Sequence, residues 1–295
     1  MALPLESVPN FSAGRDRETV AALRAALASP ARLLDVHVDD DHNRSVFTLV
    51  GDHHALVDTL LAGIRVAVER IDLAAHHGVH PRVGAADVVP IVHVRPADED
   101  RAHDAALALA DRIADELELP VFFYAGLTAA RRPPAFFRRG GPHELQRRID
   151  AGELAPDRGP SRLHPTAGAV LVGVRKPLVA FNVNLRSRDL EAAREIARLV
   201  RERDGGLPGV RALGLELRRA GLVQVSMNLE DWERTAPHVV VERIAAEAKA
   251  RGIEVDGSEL VGLMPAGAAV AAAGKTLLLP DLDTGRVLEL RLLDA

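Results

Sequence analysis

Apolar and polar positions along this 295-residue chain fall into two successive series of predicted elements. Leu5 to Phe11 reads as a strand ending in the turn Ser12, Ala13, Gly14. Val20, Leu23 and Leu27 then recur at helical spacing until Pro30 stops the run. Leu34, Val36 and Val38 alternate with Asp35, His37 and Asp39, the period of a strand with one apolar and one polar face. After the polar turn Asp40 to Asn43, Ser45 to Val50 is a second strand. Val57, Leu60, Leu61, Ile64, Val68 and Ile71 form the apolar stripe of a long helix, and Asp87 to Val94 is a compact apolar strand. The order is strand, helix, strand, strand, helix, strand.

A helix over Glu99 to Leu117 and a strand over Pro120 to Tyr124 extend this unit. Ala129 to Gly168 is rich in Arg, Pro and Gly, with at most one short helix near His143 to Asp150. So long an irregular stretch is either functional or disordered, and we favour function. From Leu178 the pattern restarts, Phe181, Val183 and Leu185 alternating with Asn182 and Asn184. Ser187 reads as the N-cap of a helix with Leu190, Ile196, Ala197 and Val200 inward, closed by Gly205 and Gly206. Val210 to Leu217 and Leu222 to Leu229 pair across an Arg-Arg-Ala-Gly turn, and the helix Val239 to Ala250 and strand Ile253 to Asp256 complete the series. Ser258 to Ala295 reads as an Ala-rich helix followed by a hairpin through Asp283, Thr284 and Gly285.

Both series match the split βαβ arrangement, which predicts an α/β (α+β) chain of two ferredoxin-like βαββαβ subdomains, each a mixed sheet with helices on one face. We place them at residues 1–177 and 178–295. Asn182 and Asn184 share one strand face, Gln224, Ser226 and Asn228 another, and Asp35, His37 and Asp39 a third. These polar rows either confront each other across a cleft or face water; the pattern leaves both open.

Composition narrows the chemistry. The chain has no Cys, which excludes disulfides, thiolate nucleophiles and Cys-type zinc sites. A net charge of -5 argues against a nucleic-acid binder, and the basic pairs Arg131–Arg132 and Arg138–Arg139 read as solvated surface. The N-terminus lacks the pattern of a signal peptide and no run of 18 apolar residues occurs, so the expectation is a cytoplasmic protein without membrane contact. Lysines are only Lys176, Lys249 and Lys275, so positive charge is almost all guanidinium, a good clamp for carboxylates and a poor base. His37, His42, His53, His54, His76, His77, His80 and His93 all lie in the first third, which places neutral-pH chemistry there.

The densest reactive cluster is His76, His77, Gly78, Val79, His80, Pro81, Arg82. His76 and His80 have the spacing of a two-histidine zinc helix, but Gly78 and Pro81 oppose a helix and no glutamate base accompanies them. A loop histidine acting as acid and base beside an anion-clamping Arg82 suits the backbone better, with a structural histidine loop as the alternative. The segment Ala155 to Gly168 exposes backbone amides, the Ser161 and Thr166 hydroxyls, Arg162 and His164, which suits a flat, polar, anionic small molecule or an ordinary surface loop. Neither a dinucleotide fingerprint nor a Walker loop nor a Gly-x-Ser-x-Gly elbow is present.

The strings SVPNFSAGRDRE, LLDVHVDDDHNRSVFTLVG, HHGVHPRVGAADVVPIV, APDRGPSRLHPTAGAVLVGVRKPLVAFNVNL, GLVQVSMNLEDW and VDGSELVGLMP resemble the glutamate formimidoyltransferase family, in family order up to Pro265. The resemblance implies transfer of a formimidoyl group from N-formimidoyl-L-glutamate to tetrahydrofolate, the one-carbon step of histidine degradation. It further implies two subdomains with a folate tunnel between them, and a homodimer. The family's acid/base histidine falls on His80. Its folate-binding segment falls on Gly159, Pro160, Ser161, Arg162, Leu163, His164, Pro165, Thr166, Ala167 and Gly168. Arg44, Arg82 or Arg162 would hold substrate carboxylates, with His37 and Asn184 as further binding residues; no metal is required. Val79 stands where the family commonly has an acidic residue, and Arg158 where an aromatic is often found. With the sequence ending at Ala295, the expectation is the monofunctional form, without a cyclodeaminase domain. The rival readings are a formyltransferase acting on N-formylglutamate, a non-catalytic folate-binding relative, and a metal-dependent hydrolase using His76, His77 and His80.

Overall fold

The computed structural model describes residues 3–130 and 132–293; the first two residues, Arg131 and the last two lie outside the described residues. The chain divides into two compact units, Met1–Lys176 and Pro177–Ala295.

The first unit runs β1 (Leu5–Ser7), β2 (Asn10–Phe11), α1 (Arg17–Ala26), β3 (Arg32–Asp39), β4 (Arg44–Gly51), α2 (His53–Arg70), β5 (Ala86–Val92), α3 (Glu99–Leu117), β6 (Val121–Ala125), α4 (Pro134–Arg138), α5 (Gly141–Asp150) and β7 (Val170–Arg175). Its mixed sheet has the order β3-β4-β1/β2-β5-β7-β6, antiparallel up to β5 and parallel from β5 through β7 to β6. The predicted strand over Leu5 to Phe11 is two short pieces, because Pro9 between them has no amide hydrogen to donate to the ladder. Asp16 caps α1 by accepting from the Glu18 and Thr19 amides, and Asp52 caps α2 by accepting from Ala55 N.

Leu23, Leu27, Leu56, Leu60, Ile64, Phe11 and Phe47 are fully buried between the helices and one sheet face. Leu33, Val36 and Val38 pack against this core, while Leu34 is 41% exposed. A register shift between Leu33 and Asp35 inserts one residue into β3 and turns Leu34 outward, against the expected alternation. The predicted irregular stretch also holds more structure than foreseen. Helices α4 and α5 cover the opposite sheet face near β6 and β7, where Phe137, Leu145 and Ile149 bury Phe122, Tyr124 and Leu171. Strand β7 was not anticipated; its six residues are the parallel link between β5 and β6.

The second unit runs β8 (Val179–Leu185), α6 (Leu190–Val200), β9 (Val210–Leu217), β10 (Leu222–Leu229), α7 (Pro237–Ala250), β11 (Val255–Val261), α8 (Ala266–Thr276) and α9 (Leu288–Leu293). Its sheet, β11-β8-β10-β9, is antiparallel throughout. Val183, Leu185, Ile196, Val200, Val223, Val225, Val240 and Ile244 form its core. Helix α6 is capped by Asp189, which accepts from Ala192 N; Ser187 instead accepts from Asp189 N, one step earlier. Strand β11 reaches Val261, five residues past the expected end. The predicted C-terminal hairpin is instead a 3-10 turn at Thr284–Arg286 followed by α9, because Arg286, Val287 and Arg291 amides bond carbonyls three or four residues back.

The polar row of the second unit is partly internal. Gln224 and Asn182 are buried, Gln224 Nε2 donates to Asn184 Oδ1 at 2.9 Å, and Asn182 Nδ2 donates to Glu259 Oε2 at 3.0 Å. Asn228 is exposed.

Candidate active site

His80 lies in the connection between α2 and β5, and its neighbour Arg82 shapes that connection. Arg82 donates from Nη2 to the His80 carbonyl at 2.6 Å and to the His42 carbonyl at 3.2 Å, and its Nη1 contacts the His76 ring. His76 in turn donates from Nε2 to the Asn43 carbonyl at 3.0 Å. Asn43 closes the frame: its Nδ2 donates to the His77 carbonyl, and its Oδ1 accepts from the Gly14 and Arg15 amides. The histidine loop is thus laced to the β3–β4 turn. Burial and then Arg82 push His76 down to about 4, and burial with Arg44 lowers Arg82 to about 10, still cationic at neutral pH.

Asp87 anchors the other side. Asn10 opposes Val88 but Phe11 opposes Ala86, so Asp87 is the extra residue of a β-bulge. Simple alternation would place it with Val89 and Ile91 in the helix-covered core; the bulge re-aims it. Its fully buried carboxylate accepts from Arg44 Nη1 at 2.8 Å, Arg138 Nη2 at 2.5 Å and Val83 N at 2.8 Å. Burial alone would raise Asp87, but Arg138, Arg44 and the Val83 amide outweigh it and hold the carboxyl below its usual range. Arg44 also donates from Nε to Asn10 Oδ1 at 3.0 Å.

The His80 ring stacks obliquely near His42, with centroids 5.8 Å apart. Burial, then Arg44, Arg138 and His42, depress its basicity well below that of free imidazole, so the ring is neutral at pH 7. Nδ1 lies 2.8 Å from the Pro81 carbonyl. A carbonyl only accepts, so Nδ1 carries the hydrogen and Nε2 keeps its lone pair.

The segment Gly159 to Gly168 docks on the same loop. Leu73 N donates to Thr166 O at 2.8 Å, Ala85 N to Ala167 O at 2.9 Å, and Ala169 N to Val83 O at 3.0 Å. The approach demands glycine at two points: a Cβ on Gly84 would lie 1.9 Å from Ala169 O, and one on Gly168, at φ +69°, would lie 2.1 Å from Val83 O. Gln146 of α5 accepts from Leu163 N at 2.8 Å and holds the segment's middle. His164 Nδ1 accepts from Ala167 N at 3.0 Å, which leaves its hydrogen on Nε2. Exposed Ser161 and Arg162 line an open depression with Pro160, Gln146 and Asp150, where Gln146 Nε2 donates to the Asp150 carboxylate at 2.7 Å; the hydroxyl of Ser161 and the guanidinium of Arg162 are its groups suited to a carboxylate.

The two segments singled out in the sequence therefore meet through backbone bonds, with Arg82 inside the histidine loop and Arg44 on the Asp87 carboxylate that also holds Val83 N. His37 lies on β3 opposite Val46, and Asn184 lies on β8 in the second unit, bonded by Gln224. Two readings are corrected. Arg138 is not solvated surface but bonded to Asp87, and Arg132 is paired with Asp157 at 3.1 Å and faces the Phe137 ring. Apolar surface on Phe122, Tyr124 and Leu171 draws α4 inward and carries these arginines with it. Sequence reasoning also missed Asp87, Asn43 and Gln146. A lone carboxylate in an apolar strand was a signal for Asp87; Arg138 had none.

Among the described residues, no helix is long and apolar enough to cross a membrane. Two family descriptions match the chain: Formiminotransferase domain, N-terminal subdomain, over residues 4–175, and Formiminotransferase domain over residues 180–277. The glutamate formimidoyltransferase of Thermoplasma acidophilum is 40% identical across 97% of this chain and 96% of its own, and that of Streptococcus pyogenes serotype M1 38% identical across 96% of each. The formimidoyltransferase-cyclodeaminase of Sus scrofa is 41% identical across 92% of this chain and 52% of its own. With both family descriptions matched in order and near-full-length relatives at about 40% identity, the chain belongs to the formiminotransferase family of transferases.

Proposed function

We propose that the chain transfers the formimidoyl group from N-formimidoyl-L-glutamate to tetrahydrofolate, giving 5-formimidoyltetrahydrofolate and L-glutamate in histidine degradation. His80 moves the protons. The observation that carries this reading is the neutral His80 ring with Nδ1 committed to Pro81 O, which leaves Nε2 as a base. Tetrahydrofolate, as co-substrate, supplies the amine that accepts the one-carbon group. His80 Nε2 takes the proton that amine loses and returns it to the departing glutamate nitrogen, so one imidazole serves as base and then acid.

The other residues position. Gly159 to Gly168 forms the folate-binding wall, and exposed Arg162 pairs with a carboxylate. Arg44 and Arg82 supply positive charge beside His80 while their own hydrogen bonds keep the loop in place. His37 in the first unit and Asn184 in the second are each further substrate-binding residues, and the working protein is a cytoplasmic homodimer using no metal.

Incubation with tetrahydrofolate and N-formimidoyl-L-glutamate, following glutamate release with and without chelator, tests the reading. Turnover that survives chelation supports it. Turnover with N-formyl-L-glutamate alone would make the protein a formyltransferase, and folate binding without turnover of either donor would make it a non-catalytic relative.

A further inference from the structure

Arg138 stands outside every segment that pointed to function, at the C-terminal end of the five-residue helix α4. Its Nη2 nevertheless reaches Asp87 Oδ2 at 2.5 Å, and its side chain is only 14% exposed. The same carboxylate holds Arg44 and the amide of Val83, three residues after His80. Arg44 follows His42 by two residues, and the His42 ring packs 5.8 Å from that of His80. One buried anion therefore ties together three chain segments that bound His80: its own loop, the start of β4 and the end of α4.

The charges do not cancel. Two guanidiniums share one carboxylate, which leaves a net positive charge beside the imidazole. The charged groups around His80 are Arg44 of β4, Arg138 of α4 and His42 of the β3–β4 turn, with Asp87 of β5 bonded to both arginines, Asp39 at the end of β3 lying 3.7 Å from the His42 ring, and Arg82 on the loop itself, so cations still outnumber carboxylates. A neighbouring cation disfavours a protonated imidazole. Arg44 alone would be neutralised by Asp87, so the surplus comes from Arg138.

We propose that Arg138 is a positioning residue for His80: it completes the Asp87 cluster that fixes the loop, and its charge keeps the imidazole in the proton-accepting form. This rests on His80 being the acid/base group. The step it controls is proton uptake at Nε2, and Arg138 touches neither substrate. The role is one of charge, which a purely structural contact would not share.

The test is an NMR titration of the His80 ring in the intact chain, for wild type, R138Q and R138K. Wild-type His80 titrates well below 6.5; R138Q moves the midpoint up by about half a unit or more, and R138K stays near wild type. If R138Q does not fold, R138M takes its place, an uncharged side chain of similar length at the same position. An unmoved midpoint in the charge-removing variant, or equal movement in R138K, overturns the proposal. Because the titration reads His80 directly, it passes or fails whichever donor the protein uses.

Discussion

The amide of Val83 donates to Asp87 Oδ1 at 2.8 Å, so the last turn of the His80 loop hangs on a side chain that a β-bulge has turned out of the core. Asp87 Oδ2 meanwhile receives Arg44 and Arg138. Removing the carboxylate strands two guanidiniums with little solvent. D87A should lose about 3–5 kcal/mol of unfolding free energy in a denaturant titration, the usual cost of breaking a buried pair from one side. A loss below about 1 kcal/mol would mean the arginines find other partners.

Gly168 and Gly152 both have φ near +70°, but only Gly168 has a carbonyl where a Cβ would go. G152A should cost about 1 kcal/mol, the strain of left-handed backbone alone. G168A adds the collision with Val83 O and should cost at least about 2 kcal/mol, with the folate KM rising as the two loops part. Equal costs for both variants would refute the close approach.

Gln146 reaches the Gly159 to Gly168 segment from α5 without belonging to it. Q146A frees the Leu163 amide and should raise the folate KM about fivefold, in proportion to one hydrogen bond of about 1 kcal/mol, while kcat stays within about twofold. A change in kcat with constant KM would place Gln146 in the chemical step instead.

His76 carries a pH dependence of stability. Its folded value is about 4 against 6.5 for the free ring, so between these limits the unfolded chain binds more protons. Stability contributed by the neutral ring is complete above 6.5 and falls as pH drops toward 4. The Tm of wild type should therefore decline through this window more steeply than that of H76Q. Parallel Tm curves would show that His76 titrates normally.

The regular elements were legible because their apolar period holds along the whole element. Helix α3 and the β9–β10 hairpin fall on their predicted bounds, the hairpin turning at Gly221, φ +68°. Errors arose where tertiary packing overrides local pattern. The Leu34 and Asp87 bulges each reverse a side chain by one inserted residue, which alternation cannot register. In the stretch with α4 and α5, the short helix expected near His143 to Asp150 is α5, whereas α4 was hidden among Pro, Gly and Arg, because its Phe137 packs on Phe122 of the sheet, centroids 5.2 Å apart, a contact without a local signal. The histidine loop and the Gly159 to Gly168 segment were visible as chemistry; that Leu73, Val83 and Ala85 would bond Thr166, Ala169 and Ala167 across more than 80 positions of sequence was not, since pairing across such a separation leaves no local trace.

If His80 Nε2 carries the proton during formimidoyl transfer, its loss must show in turnover. The decisive measurement is steady-state kcat of wild type and H80Q, with tetrahydrofolate and N-formimidoyl-L-glutamate saturating and Tm measured in parallel. A fall of about 10²–10⁴-fold in H80Q with Tm little changed is the expected result. A variant that turns over at the wild-type rate would contradict it.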